Sequence, residues 1–375
     1  MKLKQFIQQE TVLTAAAVLA VVSAFFVPPD AQYLGYIDLR TLAILFSLMT
    51  VMAGLRRQGF FDGLGQALLS RTHSTFQLTL VLVGLCFFGS MFITNDVSLL
   101  TFVPFTFVVL SRLGADVRRA LLIPVVCMQT IAANLGSMLT PIGNPQNLYL
   151  YGKSGMSIGG FVLLMLPYTL VSLLLLLAWA AMVCRKASAA LSVDELVSSA
   201  SQGDQKIILL YLVLFAVCLL SVIRVLPYGI AFAAVLVCVL FADPHTLRAV
   251  DYSLLLTFVA FFIFIGNLGR IPAFSGWLQE FLTGREVLVA VLASQVTSNV
   301  PAALLLSGFT AETQALIIGT NLGGLGTLIA SMASLISYRQ IARELPQGKK
   351  QYFGLFTLSN LIFLAILLGV WFLLR

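Results

Sequence analysis

Long apolar stretches alternate with short polar interruptions along the chain, and charges gather where the stretches end. Apolar runs, most of them near or above the roughly 18 residues that cross a hydrocarbon core, predict nine crossings: 11–28, 37–55, 118–150, 160–184, 206–222, 227–241, 252–268, 312–338 and 352–374. Two further stretches, 75–111 and 286–310, break near their middles at polar motifs. Their second arms, 97–110 and 301–310, reach only about 15–21 Å at ~1.5 Å per residue, short of a ~30 Å core. Each stretch is therefore expected to enter, turn near mid-depth and leave on the same side, although 76–93 could cross alone. The expected fold class is an all-α integral membrane protein with two re-entrant hairpins and two broken helices.

Composition agrees. Apolar residues make up 59% of the 375 and charged residues 10%, against roughly 25% charged in a soluble domain. The net charge of +7 does not point to nucleic acid, because the basic residues sit at segment ends. With the N-terminus inside, sixteen of the 22 lysines and arginines fall on the cytoplasmic side, as the positive-inside rule requires. The C-terminus is then outside. The first helix, preceded by Lys2 and Lys4, reads as a retained signal anchor. Five cysteines lie in or beside apolar segments without metal spacing, and His73 and His245 fall in loops.

The two halves resemble each other. Asp38 to Phe61 parallels Asp251 to Phe274, each running through an apolar span to an arginine (Arg57, Arg270) and an amphipathic arm. Both arms lead to a hairpin broken at asparagine. Next comes the clearest match, 133–149 against 320–336, with six of seventeen positions identical. This predicts a first inverted repeat at 1–186, a cytoplasmic linker and connecting helix at 187–226, and a second repeat at 227–375. Hairpin 75–111 and broken helix 118–150 belong to the first repeat, hairpin 286–310 and broken helix 312–338 to the second. Inverted repeats with interrupted helices are the architecture of secondary transporters.

An unpaired backbone group costs several kcal/mol in hydrocarbon, so unwound segments survive only inside protein or lining a cavity. Four are expected to converge. The hairpin tips bring Thr94, Asn95 and Asp96, and Thr297, Ser298 and Asn299. The broken helices bring Asn134, Gly136, Ser137, Thr140, Asn144 and Asn147, and Asn321, Gly323, Gly324 and Thr327. Carbonyls and amide or hydroxyl oxygens suit Na⁺, with Asn95, Gly136, Asn299 and Gly323 as its candidate ligands, while helix N-termini suit anions. Asp96 is the one acid expected at mid-depth, and is either a proton carrier, a cation ligand or a helix cap. Its counterpart is Val300. With no basic residue at that depth, an anion would be held by helix ends, amides and bound cations.

At these residues the chain resembles the ion transporter superfamily of arsenite permeases, D-type sodium/proton antiporters, citrate transporters and divalent-anion/sodium symporters. The motifs are Thr94-Asn95-Asp96-Val97, Ala133 to Gly136, Thr140 to Asn147, Ser298 to Ala302, and Thr320 to Gly323. The resemblance implies a homodimer in which a scaffold domain carries a transport domain that moves substrate as an elevator. In the symporter branch, Ser-Asn-Thr hairpin tips and the broken helices bind two Na⁺ and a carboxylate. Here Asp96 and Val300 replace the third-position threonines, and the Thr-Asn-Asp tip looks closer to the arsenite permease and D-type antiporter branch.

The sequence therefore predicts a transporter of the cytoplasmic (inner) membrane, with no cofactor beyond a coupling ion. A Na⁺ or H⁺ gradient would drive movement of a small anion, carboxylate or oxyanion, or of a metalloid such as arsenite. Simple Na⁺/H⁺ exchange is the alternative, and a channel is less favoured because polar groups cluster at one depth. An enzyme is disfavoured, since no Ser/His pair, paired intramembrane aspartates or HExxH motif is present.

Overall fold

A computed structural model describes residues 10–185 and 203–375. Residues 187–202, the first part of the expected cytoplasmic linker, lie outside the described residues. Eighteen α-helices account for the fold among them. In the first half these are α1 (Thr11–Phe26), α2 (Tyr33–Tyr36), α3 (Leu39–Arg57), α4 (Phe60–Leu69), α5 (Thr75–Ile93), α6 (Asn95–Ser111), α7 (Ala115–Ser137), α8 (Pro145–Ser154) and α9 (Ile158–Cys184). The rest are α10 (Gln205–Val222), α11 (Tyr228–Ala242), α12 (Tyr252–Gly269), α13 (Pro272–Leu282), α14 (Glu286–Thr297), α15 (Asn299–Leu306), α16 (Thr313–Leu322), α17 (Met332–Glu344) and α18 (Lys349–Leu374).

Seven stretches are long and apolar enough to cross a membrane: α3, α5, α7, α9, α10, α12 and the terminal Pro346–Leu374. The chain is a multi-pass helical membrane protein. Helices α1 and α11, expected as crossings, are shorter, at 16 and 15 residues. The 12-residue α14 and 8-residue α15 would rise only about 18 and 12 Å at ~1.5 Å per residue. In the other hairpin α5 runs 19 residues and α6 runs 17.

Each break falls where the local sequence opposes a continuous helix. Between α7 and α8 the chain passes through Pro141, Gly143 and Pro145, and Asn144 restarts the helix by accepting from the Asn147 amide at 3.1 Å. Between α16 and α17 it passes Gly323, Gly324 and Gly326, the last at φ +109°. The hairpin turns are sharper still. Thr94 (φ 67°, ψ 152°) and Ser298 (φ 76°, ψ 155°) share one backbone conformation that side chains rarely adopt.

Around these breaks, α1 packs on α12 while α11 packs on α3. Asp38 and Asp251 cap α3 and α12 alike, each accepting at 3.0 Å from an amide three residues on. A polar knot fastens α3, α10 and the 3₁₀ turn Pro244–Ala249. Arg57 meets Asp243 at 2.9 Å, Thr246 donates to Asp243 at 2.7 Å, and the Tyr211 hydroxyl lies 3.2 and 3.0 Å from these two side chains.

Candidate functional site

The four unwound segments meet. Each hairpin tip donates its first helical amide into the break of its own half: Asn95 N–H to the Gly143 carbonyl at 3.1 Å, and Asn299 N–H to the Ala330 carbonyl at 3.0 Å. Gly143 and Ala330 are equivalent positions of the 133–149 and 320–336 segments. The neighbouring contacts repeat in the same way. Thr140 donates to the Met91 carbonyl, and Thr327 donates to the Gln295 carbonyl at 3.2 Å.

The side chains then cross between halves. Asn134 Oδ1 accepts from Ser331 at 2.9 Å, and its Nδ2 reaches Ser334 at 3.5 Å. Asn321 Oδ1 accepts from Asn144 at 3.2 Å, and its Nδ2 donates to Asn147 at 2.6 Å. Ser331 and Ser334 stand where Asn144 and Asn147 stand in the other half. Asn134 also accepts from the Asn95 amide at 3.2 Å, which brings the first hairpin tip into the network. Ser137 completes it by accepting from Asn144 at 3.1 Å. All these side chains are buried, so the bonds form away from water, where an unmade one is expensive.

Glycines allow the close approach. A Cβ on Gly136 would lie 2.0 Å from the Phe87 carbonyl oxygen and 2.7 Å from Ser90 Oγ. A Cβ on Gly323 would lie 2.6 Å from Ser294 Oγ, and one on Gly324 would lie 3.1 Å from Asn299 Nδ2.

Not every expected residue joins the network. Thr297 is exposed and returns its hydroxyl to the Ala293 carbonyl of its own helix at 2.9 Å. Thr327 is exposed too, held by Gln295. Gln295, which the sequence pattern does not single out, is the organiser of the second break. Its Nε2 donates to the Gly323 and Leu325 carbonyls at 3.0 and 2.9 Å, and its Oε1 accepts from the Thr327 amide at 2.9 Å. The Gly323 carbonyl therefore offers a cation only its second lone pair. Gln295 aligns with Met91 of the first half, so the repeat gives no signal for it.

Asp96 lines a cavity of about 420 Å³ between the first hairpin tip and α3, with Thr94, Asn144 and Asp251 also in its wall. Its backbone N–H donates to Asn95 Oδ1 at 2.9 Å, and its own Oδ1 is buried without a hydrogen-bond partner among the described residues. Arg56 and Arg57 enter the same wall from the end of α3. The sequence pattern predicts no cation at this level, because helix position alone does not show how far arginine side chains reach along a cavity. A smaller cavity of about 230 Å³ lies at the second tip, with Ser298, Val300, Arg339 and again Asp251 in its wall.

Residues 6–315 match the family model described as citrate transporter. The chain belongs to the citrate transporter family. Among its relatives, the inner membrane protein YbiR of Escherichia coli (strain K12) is 32% identical over 323 residues, covering 84% of each chain. The uncharacterized transporter MJ0456 of Methanocaldococcus jannaschii is 30% identical over 303 residues, covering 81% of each. The silicon efflux transporter LSI3 of Oryza sativa subsp. japonica is 31% identical over 137 residues, 36% of this chain and 27% of that one. Membership makes this chain a membrane transporter rather than an enzyme, and puts it in the superfamily that its motifs resemble.

The strained tips give a direct prediction for this citrate-transporter scaffold. Thr94→Gly and Ser298→Gly each relieve roughly 1–3 kcal/mol of backbone strain, offset by about 1 kcal/mol of added chain entropy in the unfolded state. Either variant should unfold at the wild-type temperature or above it. A clear fall in melting temperature would show that the hydroxyls, not the turn, hold the tips.

Proposed function

We propose that the chain is a secondary active transporter that couples a Na⁺ or H⁺ gradient to movement of a small anion or a neutral oxyacid. The observation that carries this reading is the crossed Asn–Ser and Asn–Asn network between the two broken helices, joined by Asn95 of the first hairpin tip and set beside a cavity where Asp96 keeps a carboxylate oxygen unpartnered. A merely structural network would have no use for an unsatisfied buried carboxylate at its edge. The equivalent contacts at the two breaks support two inverted repeats, 1–186 and 227–375, with 187–226 between them. The short helices α14 and α15 support a re-entrant second hairpin.

On this reading the chain sits in the cytoplasmic membrane with its N-terminus inside, as a homodimer. The hairpins and broken helices travel as an elevator past a frame that includes α1, α3, α11 and α12. Asn95 and Asn299 orient the tips, the unwound carbonyls take Na⁺, and Asp96 carries the proton or helps ligate the cation. Arg56 and Arg57 at the cavity wall favour an anion entering it. The citrate description of the family supports a carboxylate, and the silicon efflux description of the rice relative supports a neutral oxyacid, silicic acid or by the same chemistry arsenous acid, the neutral form of arsenite. Na⁺/H⁺ exchange is the second reading, favoured by the position of Asp96.

The test uses purified protein in proteoliposomes with an internal pH-sensitive dye. Citrate, other small anions, arsenite and silicic acid are pulsed with and without Na⁺, on wild type and Asp96→Asn. We expect a substrate-triggered flux that needs a gradient and is lost in Asp96→Asn. A proton flux triggered by Na⁺ alone would establish the exchanger reading. Gradient-independent conductance would overturn both.

A further inference from the structure

The molecule holds a third cavity, on the far side of the first hairpin from the polar network. It measures about 500 Å³ and is walled by the arm α4, the outer hairpin helix α5 and the connecting helix α10. All seventeen of its lining residues are apolar or glycine. Water does not occupy such a space, because an ordered water needs two to four polar partners. Left empty, its walls would forfeit dispersion contacts along their whole length.

Its mouth identifies what fills it. Leu64 (45% exposed), Phe88 (53%) and Leu212 (37%) line the cavity and also face outward. Phe88 and Leu212 belong to α5 and α10, two of the helices long enough to span the bilayer. The medium beyond the mouth is therefore hydrocarbon, continuous with the cavity. The floor is made by missing side chains. A Cβ on Gly84 would find only the Phe88 ring, at 3.9 Å, so the space beside it is open. Counting back from the matched tips Thr94 and Ser298, the second half carries Leu288 at the position of Gly84 and Ala293 at that of Gly89.

We propose that this cavity is a binding site for one acyl chain of a membrane phospholipid, inserted between α4, α5 and α10 behind the first hairpin tip. The chain lies against Gly89 and Phe102, five residues before and eight residues after Thr94. It packs one wall on the hairpin and the other on α10. The site is independent of what the protein transports.

The test reconstitutes the full chain in bilayers containing phosphatidylcholine with a photoactivatable diazirine midway along one acyl chain. After photolysis, adducts are mapped by peptide mass spectrometry. Adducts should concentrate on the segments 61–68, 80–92 and 212–215, above the level on the lipid-facing surface of α9. Gly84→Leu, which installs the second half's own residue, should lower that excess about tenfold, since it removes apolar volume that the chain would fill. Leu64→Trp narrows the same cavity from the arm and should act likewise, so a folding defect peculiar to one variant cannot mimic the result. Labelling of α9 should not change in either. Even labelling of all lipid-facing helices in the wild type would overturn the proposal, leaving bulk lipid only. So would undiminished labelling in both variants.

Discussion

Asn134→Ala should lose transport and a large share of the protein's stability together. The Asn134 carboxamide oxygen serves two buried donors, Asn95 Nδ2 at 3.2 Å and Ser331 Oγ at 2.9 Å. Alanine leaves both without that acceptor, in a region that water does not reach. Each orphaned group costs about 1–3 kcal/mol, so the variant should lose roughly 2–6 kcal/mol. Ser331→Ala is the control. It deletes one partner and leaves the Asn95 bond in place, so it should cost only about 1–2 kcal/mol. Melting temperature in detergent and flux in proteoliposomes both report the difference. Equal effects of the two substitutions would mean that the bond to the first hairpin tip contributes nothing.

The second large effect is steric. Gly136→Ala puts a methyl group 2.0 Å from the Phe87 carbonyl oxygen, an atom of the α5 backbone that cannot rotate away. Either α5 or α7 must shift, and overpacking of this kind costs about 1–3 kcal/mol or more. The shift also moves Asn134, two residues earlier on α7, away from Ser331, so transport should fall further than stability alone explains. Gly54→Ala offers a comparison at the same nominal distance. Its methyl group would meet the Tyr211 ring at 2.0 Å, a buried side chain held by Asp243 and Thr246, so it strains a contact outside the asparagine network. If Gly136→Ala transports like wild type while Gly54→Ala fails, helix contact at Gly136 is not what sets the site.

Both positions are legible in the amino-acid sequence. Gly136 and Asn134 stand out because polar and small residues are conspicuous within an apolar helix, and because Gly323 and Asn321 recur in the second half. The breaks at Thr94, Ser298, 138–144 and 323–331 follow from the same signals: proline, glycine and asparagine where hydrocarbon would otherwise demand an unbroken helix. What the sequence hides is direction. In a soluble helix the apolar stripe marks the inward face, but here lipid and protein interior are alike apolar and the stripe disappears. Thr297 and Thr327 thus look equivalent to Ser298 and Asn321 in sequence, yet they face outward. Gln295 looks like an ordinary polar residue near a helix end, yet it takes two carbonyls of the second break. Ser334 does carry a signal, since it aligns with Asn147 at the spacing that relates Asn134 to Asn321.

The crossed bonds set a timetable for biosynthesis. Asn134 enters the membrane with the first half, while its partner Ser331 lies 197 residues later in the chain. At roughly 5–20 residues per second, synthesis of that interval takes about 10–40 s. During it, the buried face of α7 has been made, but Asn134 has only Asn95 and still lacks Ser331 and Ser334. Asn144 and Asn147 wait in the same way for Asn321, 177 and 174 residues on. A ribosome stalled before residue 321 would therefore leave a nascent chain whose finished helices are apolar outside and unsatisfied within, a form suited to capture by the insertion machinery and not to release into lipid.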